Sequence, residues 1–156
     1  MRIWQCVVAV TIPLMGCSPA KAEYSAAVEA AWNSERYEFA QKAVFYDKFA
    51  ASFESGAERA QRIADRLGTG GSIAEGQRGT ASESRAQADD ALYLSKSTFV
   101  GLKEWHCVSA ASLPGQNCEV LFTIRGPDGK EEGMTKAYRF DKRGGKLAVV
   151  GPAESS

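Results

Sequence analysis

Cys118-Glu119-Val120-Leu121-Phe122-Thr123-Ile124-Arg125 is the clearest strand in the chain. Cys118, Val120, Phe122 and Ile124 fall on one side of an extended backbone. Glu119, Leu121, Thr123 and Arg125 fall on the other. One apolar face and one mixed face describe an antiparallel sheet that is covered on one side and open to water on the other.

The segments on either side extend the sheet. Upstream, from Thr98, Val100 and Leu102 share one parity while Trp105 and Cys107 share the other. A bulge near Lys103-Glu104 reconciles the two. Downstream, Met134, Tyr138 and Phe140 form a third strand, with Lys136 interrupting its apolar row. Leu147 to Val150 forms a fourth. Pro127-Asp128-Gly129 turns strand two into strand three, and Phe122 shares a face with Tyr138 only if that loop is odd or bulged. Arg143-Gly144-Gly145 makes the next turn. An even loop there predicts Phe140 opposite Leu147 and Tyr138 opposite Val149.

The preceding half is helical in period. Tyr24, Val28, Ala31 and Trp32 form one stripe, and Phe39, Ala43, Tyr46, Ala50 and Phe53 continue it. Asn33-Ser34 and Ser55-Gly56 are candidate breaks. The expectation over 23–67 is one long interrupted helix, or two to three end to end, stopped by Gly68. Gly68, Gly70, Gly71, Gly76 and Gly79 then predict a mobile loop over about 68–87, within which a short helix begins at Ala81 and runs to Leu94. No Gly-Lys-Ser/Thr ending follows, so these glycines are not a phosphate-binding loop. The fold class is α+β: N-terminal helix or helices on one face of a three- to four-stranded antiparallel meander.

The first residues read as an address. Arg2 supplies a positive start, and Ile3 to Met15 is apolar except for Gln5 and too short to span a bilayer, as in a secretory leader. Two cleavage sites compete. Leu14-Met15-Gly16-Cys17 resembles a lipobox, giving a leader over 1–16 and lipidation at Cys17. Ala20-Lys21-Ala22 is a small-x-small site, giving a leader over 1–22. The first is favoured, because the cysteine stands where the apolar run ends. On that reading 17–22 is a short tether, 23–151 a single domain and 152–156 a tail. The resemblance to a lipobox further implies outer-membrane sorting, since Ser18 and not the Asp typical of inner-membrane retention follows the cysteine.

Four cysteines are present. Cys6 lies in the leader, and Cys17 is either acylated or removed. Cys107 and Cys118 remain, in an oxidising compartment and flanking Pro114-Gly115-Gln116-Asn117, and are expected to form a disulfide. A metal pair with His106 lacks the other two ligands of a structural zinc site.

Candidate chemistry is sparse. His106 is the only histidine, and it points outward if Cys107 points in. Asp89-Asp90 and Glu131-Glu132 are adjacent acids that do not aim at one point. The 19 basic and 19 acidic residues balance, which gives no reason to expect nucleic acid as a partner. Neither a cofactor nor a metal is expected, and no catalytic set is legible.

In layout the chain resembles small lipoproteins of Gram-negative bacteria: a lipobox, a helical half, then a short antiparallel sheet with a Cys–Cys hairpin. Trp105-His106-Cys107, Cys118-Glu119-Val120 and Tyr138-Arg139-Phe140 are similar to the terminal strands of NTF2-like or cystatin-like periplasmic domains. This resemblance carries over no functional residue. Two functions follow as expectations. One is a membrane-tethered, non-enzymatic envelope protein that binds another protein through its sheet or an exposed edge. The other is a small-ligand carrier with a pocket between helix and sheet, lined by Trp32, Phe39, Tyr46 and Phe122.

Overall fold

The computed structural model describes residues 20–153. Cys17 and the leader lie outside the described residues, as do 154–156 of the tail. Two helices, α1 (Lys21–Leu67) and α2 (Ser72–Lys96), precede a four-stranded antiparallel sheet, β1 (Thr98–Ser109), β2 (Gln116–Arg125), β3 (Glu131–Arg143) and β4 (Lys146–Pro152). Strand order follows chain order, so the sheet is a meander with β1 and β4 at its edges.

The helical half departs from its reading in three ways. First, α1 is one uninterrupted 47-residue helix. Asn33 and Ser34 do not break it, because its N-terminal half is held on the sheet. Gly56 does not break it, because α2 packs there; a Cβ on Gly56 would lie 2.9 Å from the Gln77 side chain. Second, α1 begins at Lys21, two residues before the domain start read from the sequence. Third, the glycine-rich loop shrinks to the short connection after Gly68, a left-handed C-cap at φ 62°. Residues 72–87 belong to the 25-residue α2. Gly76 and Gly79 each cost such a helix about 1 kcal/mol relative to alanine. The alanine stripe Ala74, Ala81, Ala88 carries the helix through them, buried against Ala43, Ala50, Ala57 and Ala64 of α1.

Both sets recur every seven residues, the period of a coiled-coil seam. Charge locks the register: Arg85 donates two 2.7 Å hydrogen bonds to the Glu54 carboxylate and one of 3.3 Å to Asp47. Near the sheet, Arg36 Nε donates to the Ser95 carbonyl at 3.0 Å. The hairpin continues well past the sheet, which only the first half of α1 covers.

The sheet follows its alternation closely. Arg125 pairs with Glu131 across a five-residue loop, an odd number, so Phe122 and Tyr138 share the inner face. The bulge near Lys103 is present, and a second at Val100 turns that residue outward and brings Phe99 in. Arg143 pairs with Lys146, so Gly144-Gly145 forms a two-residue turn with φ of 58° and 79°, backbone that glycine adopts without strain. The turn is thus even, but centred one residue later than the alternation suggested. Phe140 lies opposite Val149 rather than Leu147, and Tyr138 opposite Pro152 after a bulge at Val150. Phe140 and Leu147 remain on one face, because a two-residue shift preserves parity.

The core is filled. Tyr24, Ala27, Val28 and Trp32 of α1 pack on Leu102, Val120, Phe122, Ile124, Tyr138 and Phe140. The Trp32 ring meets Phe122 at 5.6 Å and Phe39 at 5.9 Å, and Tyr24 meets Phe140 at 5.2 Å. Cys107 and Cys118, directly opposite across β1 and β2, form a disulfide with Cα atoms 4.1 Å apart. Closing an eleven-residue separation in this way stabilises the fold by about 3 kcal/mol in the chain-entropy model.

Candidate functional site

The four aromatic residues expected to line a pocket do not enclose one. Trp32 and Phe122 are fully buried and fill the space between helix and sheet. Tyr46 lies on the part of α1 beyond the sheet, against Phe45 at 5.5 Å. Only Phe39 reaches an opening, and that opening lies at the sheet margin.

There α1 and β4 bound a trough. One half holds about 450 Å³ and is lined by Ala26, Ala27, Ala30 and Ala31 of α1 facing Leu147, Ala148 and Val149 of β4. Four small side chains on adjacent turns leave the gap; larger ones would close it. The other half holds about 580 Å³ and runs on past Val149 to Pro152, with Glu35, Phe39, Lys136 and Tyr138 in its wall. Ala31, Ser34 and Val149 border both halves, so the trough is continuous along β4.

The strand beside it is a bare edge. Among the described residues β4 pairs with β3 alone. Its outer row of N–H and C=O groups has no strand beside it, and Leu147 to Gly151 carries no charge. Of the usual devices against edge pairing, β4 has Lys146 and Pro152 at its ends and one bulge within it, at Val150. β1, the opposite edge, carries two bulges together with Lys103, Glu104 and His106.

A polar tie closes the far end of the trough. The Glu35 carboxylate accepts a hydrogen bond from the Lys136 ammonium and another, 2.7 Å long, from the Tyr138 hydroxyl. Lys136 also sits 5.7 Å from the Trp32 ring centre and 5.5 Å from that of Phe39. These contacts explain how a lysine occupies the inward row of β3. Burial, then the hydrogen bond to Glu35, pushes the Tyr138 phenol well above its ordinary range. A phenol so held is a poorer acid than a free tyrosine, and the carboxylate is committed to two donors. The cluster braces α1 against β3.

The sequence pointed to an exposed edge and to Phe39, but not to the trough along β4. Its one signal was Lys136, a charge in an otherwise apolar row, which demanded a partner such as Glu35. The alanine face of α1 gave no signal, because alanine suits any helix face. His106 points away from α1 and borders a 150 Å³ depression on the open face with Glu104, Glu119, Leu121 and Thr135. Among the described residues, no three His, Cys, Asp or Glu side chains group as a metal site would require, and no helix is long and apolar enough to cross a membrane. No family model, curated protein or solved structure matches the chain.

Proposed function

We propose that the chain is a non-enzymatic cell-envelope protein, tethered to the outer membrane through Cys17, that binds another envelope protein by adding a strand at β4. The trough beside a bare, uncharged edge carries this reading. A free edge offers main-chain hydrogen bonds to any extended segment, and a pocketed flank selects among segments by alternate side chains. The alanine wall favours a segment with apolar residues at every second position. Export is supported by the leader and by a disulfide pair that an oxidising compartment keeps closed.

The test is photo-crosslinking in intact cells. A crosslinker at Ala30, exposed on the trough wall, should yield a defined protein adduct, and one at His106 on the open face should not. Equal yields, or none from Ala30, would contradict the reading. Mass spectrometry of the purified chain reports the anchor: an acylated Cys17 as first residue supports the tether, and an unmodified Glu23 removes it.

A second reading uses the same trough. Its combined volume suits an apolar small molecule as well as side chains. Native mass spectrometry of the protein from cells separates the two, since a carrier retains a bound compound of low mass.

A further inference from the structure

Beyond the sheet, α1 carries a second apolar seam, which α2 borders at Gly56 and which stays open along Phe49, Ile63 and Leu67 among the described residues. Tyr46, Phe49, Phe53, Gly56, Ala60, Ile63 and Leu67 are spaced alternately three and four residues apart, which is the a/d pattern of a coiled coil. This seam is distinct from the alanine seam, Ala43, Ala50, Ala57 and Ala64, that faces α2. A helix with two adjacent seams is built for two neighbours, and α2 supplies one. Phe49 is 42% exposed, Ile63 58% and Leu67 69%.

The seam is also asymmetric along its length. Its first half is a ridge: the Phe49 ring stacks on Phe45 at 5.9 Å and meets Phe53 edge-on at 4.8 Å. Its second half is a groove of about 460 Å³ lined by Gly56, Ala60, Ile63 and Leu67 with Ile73 and Gln77 of α2. Ridge and groove sit end to end on one helix, so a twofold axis between them brings each ridge onto the other copy's groove. An antiparallel register then sets Phe53 against Gly56, Phe49 against Ala60 and Tyr46 against Ile63 of the second copy, bulky against small at the first two.

Area agrees. The exposed parts of Phe45, Phe49, Ile63, Leu67 and Ile73 sum to roughly 500 Å², the upper end of what a monomer leaves open. Two such faces approach the ~1,200 Å² lower bound of a stable interface once the rim is counted.

We infer that the occupant of this seam is a second copy of the chain, and that two helical hairpins pair antiparallel through α1 into a four-helix bundle. The contact is isologous, so it closes at a dimer. It uses none of the β4 trough, and it stands or falls independently of the function proposed above.

Sedimentation velocity tests this on the exported chain carrying Cys17→Ser, which removes any acyl-driven association. The expected result is a dimer at tens of micromolar. Phe49→Glu should weaken it at least tenfold with an unchanged circular dichroism spectrum. Phe49→Ala and Ala60→Phe should each weaken it, and the two together should recover most of the loss by exchanging ridge and groove. A wild-type monomer throughout, or a dimer indifferent to Phe49→Glu, overturns the inference. A combined variant no tighter than either single change overturns the antiparallel register.

Discussion

Lys136 shows how a single residue reports on a site. Its side chain is 25% exposed and that of Glu35 is 22% exposed, so their pairing is sheltered without being dry. Glu35→Ala strands the ammonium and leaves the Tyr138 hydroxyl without its acceptor. The expected cost is about 2 kcal/mol, below that of a fully buried pair because water still reaches both groups. Chemical denaturation of the variant measures it. Tyr138 makes a second statement at this scale. Burial and Glu35 raise its pKa, hydrogen bonding to Glu132, then burial, raises that of Tyr93 to about 12, and burial, then Glu23, raises that of Tyr24. A raised value means that the folded state holds the proton more tightly than the unfolded chain does. The resulting stability is complete below pH 10, the ordinary tyrosine value, and is lost as pH climbs through the folded values. The melting temperature should therefore fall above pH 10, and Tyr138→Phe should flatten that fall. An unchanged slope would separate Tyr138 from the carboxylate. The partner of Lys136 was not legible beforehand, because Glu35 lies about a hundred residues away in sequence, and only the packing of α1 on β3 brings them together.

Among the elements, the strands were the most readable and α2 the least. A strand with one buried face announces its inward residues by parity, so the sheet, the odd loop and the Lys103 bulge could all be derived from Phe122, Tyr138 and Trp105. The register of β4 could not, since Gly144 and Gly145 allow the turn to close at either of two positions with the faces unchanged. The first part of α2 was hidden for another reason. Five glycines in twelve residues outweigh Ala74 and Ala81 on any local propensity, yet those alanines continue a seven-residue repeat that only a partner helix makes meaningful. Alanine seams also fix how closely α1 and α2 approach. Ala50 is fully buried between them, so Ala50→Leu must push the helices apart. The expected destabilisation is about 1–3 kcal/mol from overpacking, read as a lower denaturation midpoint. A midpoint equal to wild type would mean that the hairpin is looser than its buried alanines indicate.

Across the whole molecule, the parts sort along α1. The proposed anchor, Cys17, is four residues before the start of α1 in sequence, so a tether there would hold the sheet end of α1 near the membrane. At 1.5 Å per residue α1 is ~70 Å long, which carries the hairpin tip far from the β4 trough. An antiparallel dimer would place the N-terminal ends of its two α1 helices ~100 Å apart. With the twofold along the membrane normal, both helices lie parallel to the surface. The trough stays free in that arrangement, because pairing through the outer seam of α1 leaves β4 uncovered. Amide hydrogen exchange across Leu147 to Gly151 tests the central claim, that the β4 edge takes up an extended partner strand. It compares the protein alone with the complex captured from Ala30. The account predicts fast exchange on β4 alone and marked slowing in the complex, with β1 unchanged. Exchange on β4 that is identical in the two states would contradict it.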